Sequence, residues 1–244
     1  MNASNREREW LEKAGRSWSE RAESWDAMST ANGQTPERRA ELARWAESLR
    51  LTRNSRLLDA GCGTGQFSIA FAQMGVAVSA LDLSPEMISR ARANARTADV
   101  DIAFSAGSLA PLPYLDATFD AIFCRMVLHL VPAPFAVLRE FRRALRGEGR
   151  VYVSVPGALS PIYASRWQRH VDASQGTVND MLPWELESLL QELGFSVTDQ
   201  WGDWSLQGES DRRSIAAHRA REAGDLLLQQ ATATTWGFIA SANP

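Results

Sequence analysis

A short stretch in the first third of the chain combines an acidic residue with three glycines at alternate positions. Within LLDAGCGTGQFS, residues 57–68, these are Asp59, Gly61, Gly63 and Gly65. Glycine-rich loops between a strand and a helix let the backbone approach a nucleotide closely. The stretch therefore predicts a site for a nucleotide-like ligand.

The spacing of the glycines differs from the dinucleotide-binding pattern, which needs its third glycine three residues after the second. This chain has Gln66 there. Asp59 would repel a pyrophosphate docked at a helix N-terminus, because like charges in a half-buried cleft repel more strongly than in water. A cation is favoured instead, and S-adenosylmethionine carries an ammonium, a sulfonium and an adenosine. Asp82, about 20 residues after the loop, suits a carboxylate that accepts both ribose hydroxyls.

Short apolar runs alternate with amphipathic stretches along the chain, which predicts an α/β fold with a parallel sheet and crossover helices. The predicted strands are Arg56–Ala60, Val76–Leu81, Ile102–Ser105, Phe119–Cys124, Arg150–Val155, Phe195–Trp201 and Trp236–Ala240. The predicted helices are Arg6–Met28, Pro36–Arg50, Gly65–Met74, Pro85–Arg96, Pro134–Leu145, Pro183–Leu193 and Asp211–Gln230. A turn-rich segment, Ser29–Thr35, separates the first two helices.

The DxGCGTG loop and Asp82 resemble the class I S-adenosylmethionine-dependent methyltransferases, in particular the group that modifies small molecules. The resemblance covers the chain from about Trp25 to Ala240. It implies a Rossmann-like, seven-stranded, mostly parallel sheet whose last strand lies antiparallel between the fifth and sixth strands. TTWGFIASANP at the C-terminus resembles that last strand.

The expected organisation is a single methyltransferase domain over 1–244. Its parts are a helical lid (1–50), a cofactor-binding core (51–155), a cap insert after the fifth strand (156–182) and a C-terminal completion of the sheet (183–244).

The resemblance also implies a set of cofactor-binding residues. The loop supplies Asp59, Gly61, Cys62, Gly63, Gly65 and Gln66, Asp82 holds the ribose, and Leu83 and Met87 form the apolar wall under the adenine. In AGSLAPLPYLDATFDAIF the family has an aspartate that holds the adenine amino group. This chain has Ser108 there, followed by Leu109, and a hydroxyl accepts that hydrogen bond more weakly than a carboxylate.

Two further segments are expected to contact the cofactor. In CRMVLHLV the resemblance implies that Cys124, Arg125 and Met126 contact the methionine moiety, mostly through backbone. In WSERAESWDAM, Trp25 takes the place of the aromatic residue of an N-terminal lid, and a core tryptophan of an amphipathic helix is the alternative.

Methyl transfer from a sulfonium leaves a neutral thioether, so positioning and exclusion of water can supply most of the acceleration. A base is needed only if the acceptor arrives protonated. His129 follows the fourth strand by one turn and is a candidate base, with a packed core histidine as the alternative. The catalytic residue therefore stays unassigned, nothing singles out His170 or His218, and no metal is expected.

The acceptor is expected to be a small molecule recognised by the lid and the cap insert. Tyr163, Trp167 and Trp184 either form an apolar acceptor pocket, with Arg166 or Arg169 available to an acidic group, or pack in the core, which is the default for aromatic residues in a cap of this size. Arg38 and Arg39 either reach the methionine carboxylate or form a solvated helix face.

The composition narrows the class of partner. The formal net charge is −3, whereas nucleic-acid contacts usually leave a basic footprint, which argues against DNA and RNA. No secretory signal or membrane-length apolar run is visible, and neither cysteine lies in a metal-type pair, so a cytoplasmic protein with no membrane partner is expected. The oligomeric state is not indicated. Two alternatives stay open: a tRNA or other RNA methyltransferase, and a non-catalytic S-adenosylmethionine-binding subunit.

Overall fold

A computed structural model of the chain describes residues 3–33, 35–163, 179–204, 220–222 and 224–243. Helices and strands alternate through most of these ranges. The helices are α1 (Ala3–Gly33), α2 (Pro36–Ser48), α3 (Gln66–Gln73), α4 (Pro85–Thr97), α5 (Pro134–Ala144), α6 (Pro183–Glu192) and α7 (Leu226–Thr232). The strands are β1 (Arg56–Ala60), β2 (Ala77–Asp82), β3 (Ala103–Ala106), β4 (Phe119–Arg125), β5 (Leu145–Pro156), β6 (Phe195–Asp203) and β7 (Thr235–Ala242).

The strands of the described residues form a seven-stranded sheet in the order β3-β2-β1-β4-β5-β7-β6. The first five strands are parallel, and β7 runs antiparallel to both β5 and β6. The predicted fold class, an α/β Rossmann-like sheet with an antiparallel last strand, is therefore confirmed. The strand order reverses between β1 and β4, and the carboxyl ends of the strands at such a point open the crevice that binds ligands in α/β sheets.

Helices cover both faces of the sheet. Successive side chains of β1 point to opposite faces, so Leu58 packs in the core beneath α5 and α6, and Leu57 packs in the core beneath α2, α3 and α4. Phe141 is buried in the first core and Trp45 in the second. This burial fixes β1 and β4, and therefore the loops that follow them.

Two helices next to the crevice begin at conventional caps. The Ser84 hydroxyl accepts a hydrogen bond from the Met87 backbone N–H at 3.1 Å, and Pro85 occupies the first turn of α4. Thr35 caps α2 in the same way, by accepting from the Arg38 N–H at 3.2 Å. Such caps satisfy backbone donors that have no partner within the helix.

Three predicted boundaries are wrong. The turn expected at Ser29–Thr35 begins later, because α1 continues to Gly33; serine and threonine lower helix propensity without breaking a helix. β5 begins at Leu145 rather than Arg150, because Leu145 pairs with Phe119 before a register shift.

The third boundary concerns the helix predicted over Asp211–Gln230, part of which lies outside the described residues. In the described part, Gly224 has a φ of 67° and the Asp225 side chain accepts from the Leu228 N–H at 3.0 Å, so α7 starts as a separate helix. The helix predicted to reach Gln230 is therefore interrupted at this glycine. No helix in the described ranges is long and apolar enough to span a membrane.

Candidate active site

A cavity of about 790 Å³ opens at the carboxyl ends of β1, β2 and β4. The glycine loop after β1 forms one side, and α1 and α2 contribute Trp18, Trp25 and Arg38 to the other. The volume lies within the range of roughly 300–1,000 Å³ that is usual for small-molecule sites. The sheet thus places its main cavity at the point where the strand order reverses.

The three loop glycines adopt backbone conformations that other residues rarely take. Their φ angles are 80° at Gly61, 54° at Gly63 and 84° at Gly65. A Cβ on Gly61 would lie 2.3 Å from Cγ2 of Val127, and one on Gly65 would lie 3.0 Å from Cβ of Ala91. The glycines are therefore needed both for the turn and for the close approach of the loop to its neighbours.

Asp59 is a buried carboxylate at the end of β1 that lines the cavity. Its Oδ2 accepts a hydrogen bond from the Ser68 hydroxyl at 2.5 Å. Burial raises the pKa of Asp59 to about 7, and the Ser68 hydrogen bond opposes that shift only in part. Asp59 therefore ionises near neutral pH, and a positive charge in the cavity would favour its ionised form.

Asp82 links the ends of β1 and β2. Its Oδ2 accepts from the backbone N–H of Gly63 at 2.9 Å, and its Oδ1 accepts from that of Ser84 at 2.9 Å. Burial raises the pKa of Asp82 against these hydrogen bonds. Each oxygen keeps acceptor capacity, since a carboxylate offers about four lone-pair sites.

The structure brings most of the predicted cofactor residues together. The ones that line the cavity are Trp25, Asp59, Gly61, Cys62, Gly63, Gln66, Asp82, Leu83, Met87, Ser108, Leu109 and Arg125. Gly65 does not line it and instead begins α3, packed against Ala91. Cys124, also expected near the methionine moiety, is buried in the core, whereas Met126 lines the cavity.

Ser108 lies at the cavity wall in a tight local turn. Its hydroxyl donates to the Ala110 carbonyl at 3.1 Å and accepts from the Ala110 N–H at 3.2 Å. The hydroxyl proton is therefore engaged, and one lone pair remains for an amino group in the cavity.

Helix α1 lies across the glycine loop, which is where the sequence places a lid. Trp25 is 36% exposed, and its ring packs edge-to-face against that of Trp18, with ring centroids 5.3 Å apart. A Cβ on Gly63 would lie 3.2 Å from Nε1 of Trp25. Trp25 is thus a cavity residue rather than a core tryptophan.

Side-chain hydrogen bonds attach α1 to the rest of the protein at four points. Ser19 and Ser84 hydroxyls lie 2.9 Å apart, Asn94 donates to Asp26 at 2.8 Å, and Gln66 donates to Thr30 at 3.2 Å. Nearer the start of the helix, the Trp10 indole N–H donates to the Leu130 carbonyl at 3.0 Å. These contacts hold α1 over the cavity at several positions along the helix.

His129 is packed in the protein interior and does not line the cavity. Burial lowers its pKa to about 3, and its ring lies edge-on to Tyr163 with centroids 6.3 Å apart. Asn179 fixes the surrounding turn by donating to the carbonyls of Leu128 and Val131, each at 2.7 Å. The structure supports the packed histidine and not the candidate base.

Two of the three candidate aromatic residues for an acceptor pocket lie in the described residues, and neither lines the main cavity. Tyr163 is buried and its hydroxyl donates to the Met181 carbonyl at 3.1 Å, as expected for the packed alternative. Trp184 lines a separate shallow hollow beside Pro134 and Asn179. The other candidates of the cap and late helix, Arg166, Trp167, Arg169, His170 and His218, lie outside the described residues.

A charged cluster that the sequence did not reveal lies at the other end of the cavity. We call it the charged end; it consists of Arg38, Glu41, Arg125 and Asp203, all of which line the cavity. Arg38 Nη1 and Glu41 Oε2 are 2.7 Å apart. Burial, followed by the charge of Arg125, lowers the pKa of Arg38, and burial raises that of Glu41.

The only sequence signal for this cluster is the i, i+3 spacing of Arg38 and Glu41 on one face of α2. Arg125 and Asp203 come from β4 and β6, and nothing in their local sequence marks them as neighbours. Arg39 is exposed and does not line the cavity, so of the two arginines only Arg38 faces it. Among the described residues, no group of three histidine, cysteine, aspartate or glutamate side chains is arranged to hold a metal ion.

The sequence of the central region matches a known protein family. Residues 58–153 match the family described as "Methyltransferase domain". Among curated proteins, the chain is 30% identical over 156 residues to a ubiquinone biosynthesis O-methyltransferase of Xanthomonas axonopodis pv. citri, covering 61% of this chain and 65% of that protein. It is 35% identical over 130 residues to the 27-O-demethylrifamycin SV methyltransferase of Amycolatopsis mediterranei, covering 52% and 47%.

Solved structures extend the likeness of fold beyond the matched region. A SAM-dependent methyltransferase from Aquifex aeolicus superposes with a TM-score of 0.59 and 15% identity, over 82% of this chain and 89% of that one. The chain spans less than two thirds of the length of the curated relatives described above. Residues 58–153 are thus similar in sequence to a methyltransferase domain, and the likeness of fold extends over the seven-stranded sheet around them.

Proposed function

We propose that the chain binds S-adenosylmethionine in the cavity and transfers its methyl group to a small-molecule acceptor. The proposal depends most on the position of Asp59. This buried carboxylate lines the cavity beside three glycines of positive φ. A ligand with a cationic methionine end would stabilise the charged form of this carboxylate. The methyltransferase domain match supports the same function.

The residues around the cavity fit this cofactor. Asp82 has acceptor capacity for ribose hydroxyls, and Leu83, Met87 and Leu109 offer apolar surface to an adenine ring. Gly61 lines the cavity and has no room for a Cβ beside Val127, so only glycine keeps the loop in this conformation. When bound, S-adenosylmethionine supplies a methyl group on a positively charged sulfur, which leaves as a neutral thioether.

The contribution of the chain is orientation and exclusion of water. Helix α1 covers the glycine loop and is attached through Ser19, Asp26 and Thr30. Holding an acceptor in line with the methyl group in a covered cavity is worth several kcal/mol of the barrier, about 7–11 in well-oriented model reactions. We assign no general base, and His129 is not placed to act as one.

We propose oxygen as the accepting atom, because relatives from Xanthomonas and from Erwinia pyrifoliae are O-methyltransferases by name. Their acceptors differ widely in size and chemistry. The relatives therefore support methyl transfer to oxygen. The acceptor itself has to be inferred from the residues that line this cavity.

Two experiments test the proposal. Titration calorimetry with S-adenosylhomocysteine should show binding in the micromolar range, and absence of binding would contradict the function. Incubation of the protein and labelled S-adenosylmethionine with cell extract should then place label in the small-molecule fraction. Label in RNA would support an RNA methyltransferase instead, and binding without any transfer would support a non-catalytic subunit.

A further inference from the structure

The cavity continues beyond the residues that fit the cofactor. The sheet order sets β2, which ends at Asp82, apart from β6, which ends at Asp203, with β1, β4, β5 and β7 between them. Arg125 at the end of β4 and Thr235 at the start of β7 line the cavity as well. The charged end therefore lies on the opposite side of the glycine loop from Asp82 and Ser108. The charged end is where an acceptor would enter.

Arg125 is a half-buried cation in this region that makes no hydrogen bond or ion pair with any described residue. Its guanidinium carbon lies 5.2 Å from the ring centroid of Phe67 and 5.9 Å from that of Trp45. Aromatic faces attract a guanidinium but accept none of its five N–H groups in regular hydrogen bonds. The cost of partial burial of Arg125 is therefore offset only in part, and an anion in the cavity would offset more of it.

The other arginine of the charged end already has a partner. Arg38 Nη1 forms the 2.7 Å ion pair with Glu41, and the pKa of Arg38 is lowered by burial and then by the charge of Arg125. Both guanidiniums line the cavity and lie near the Phe67 ring, 5.3 Å (Arg38) and 5.2 Å (Arg125) from its centroid. An added anion would interact with both, and Arg125 offers it more donors, because Arg38 already uses one nitrogen on Glu41.

Apolar side chains line another part of the same cavity. Leu11 on α1, Val131, Val137 and Ile162 line the cavity near the loop that follows β4. A ligand suited to these surfaces has an apolar body and a single acidic group.

We propose that Arg125 is a specificity residue that binds the carboxylate of the acceptor, and that the acceptor is a small organic acid with an apolar or aromatic body. The planar guanidinium matches a carboxylate in a two-point contact. The proposal rests on the proposed function, because it takes the occupant of this end of the cavity to be the acceptor. The backbone at Arg125 stays available to the cofactor.

The test compares acids with their neutral counterparts. Hydroxybenzoates and hydroxycinnamates, and the carboxamide of each, are titrated into the protein saturated with S-adenosylhomocysteine. At least one acid should bind about tenfold or more tightly than its amide.

Arg125→Gln should remove this preference for the acid, and Arg125→Lys should keep part of it. Arg39→Gln, an exposed arginine on α2 that does not line the cavity, should leave it unchanged. Equal affinity of every acid and amide for the unmodified protein would overturn the proposal.

A second arm separates the acceptor from the cofactor as the source of the carboxylate. S-adenosylhomocysteine carries the methionine carboxylate and 5′-methylthioadenosine lacks it. Arg125→Gln should leave the affinity for both unchanged within about twofold. If it weakens only S-adenosylhomocysteine, Arg125 holds the methionine carboxylate and the proposal is wrong. If the unmodified protein binds neither, the proposed function itself has failed. Thermal melting of each variant checks that it folds.

Discussion

The carboxylate of Asp82 accepts a hydrogen bond from the backbone N–H of Gly63 at 2.9 Å. The residue that ends β2 thereby fixes the loop that follows β1. The same carboxylate lines the cavity, so it is placed both to shape the loop and to contact a ligand. The conformation of the glycine loop therefore depends on a neighbouring strand.

Replacing Asp82 should therefore weaken cofactor binding more than a lost surface charge would. Hydrogen bonds to charged groups contribute about 1.5–3 kcal/mol, so Asp82→Asn should raise the dissociation constant of S-adenosylhomocysteine roughly 10- to 100-fold. Asp101→Asn, at an exposed aspartate before β3, is the matched control and should have no effect. Calorimetric titration measures both, and equal affinities of the two variants would contradict the role of Asp82.

Asp59 should make cofactor binding depend on pH. Its pKa of about 7 in the free protein means that the carboxyl is mostly protonated at pH 6 and mostly ionised at pH 8. Because only the ionised form attracts a cation, affinity for S-adenosylmethionine should rise about tenfold over this range, with release of a proton. Calorimetry in buffers of different ionisation enthalpy measures both quantities. Asp59→Asn should remove the dependence, and an unchanged slope in that variant would count against the assignment.

The same carboxyl should affect the stability of the free protein in the opposite direction. Its pKa in the folded state lies above the ordinary value of 3.8, so between about pH 4 and pH 7 the folded state binds the proton more strongly than the unfolded state. The free energy of unfolding should therefore fall as pH rises through this window. Urea unfolding should show a weaker fall in Asp59→Asn than in the unmodified protein. Parallel curves for the two proteins would show that Asp59 is not the titrating group.

Gly61 should be intolerant of a side chain for two separable reasons. Alanine there would meet Val127 at 2.3 Å and would also adopt a φ of 80°. Gly194 has a similar φ of 75° but open space around it, so Gly194→Ala measures the backbone strain alone. Gly61→Ala should cost about 1–3 kcal/mol more than Gly194→Ala in urea unfolding. Adding Val127→Ala should recover part of that difference; no recovery would mean that the contact with Val127 is not the cause.

His129 should not contribute to catalysis. Its buried ring lies outside the cavity, and its pKa of about 3 makes it a weak proton acceptor at neutral pH. Once an acceptor is known, His129→Asn should lower thermal stability but keep kcat within about threefold, with an unchanged pH profile. A loss of kcat by about 100-fold or more in a folded variant is the result typical of a general base.

The part of the cavity around the glycine loop could be predicted from sequence because the residues that form it lie close together in the chain. Asp59 lies in β1 and the glycines lie in the loop between β1 and α3. Asp82 ends β2, which is the next strand in the chain. The sheet order of such units is limited to few alternatives, so the fold follows as well.

The charged end could not be predicted because it is assembled from distant parts of the chain. Arg38, Arg125 and Asp203 meet only through the arrangement of α2, β4 and β6. The surroundings of Tyr163 and Trp184 could not be predicted for a related reason, because composition does not say against which surface an aromatic residue packs. The register of the strands, rather than residue type, decides which side chains share a cavity.

S-adenosylmethionine is the proposed occupant of the cavity beside Asp59. Isothermal titration of the unmodified protein with S-adenosylmethionine and, separately, with NAD at pH 8 tests this assignment. S-adenosylmethionine should bind with a stoichiometry near one, its binding should be lost or strongly weakened in Asp82→Asn, and NAD should not bind. Binding of NAD alone, or of neither ligand, would contradict the assignment.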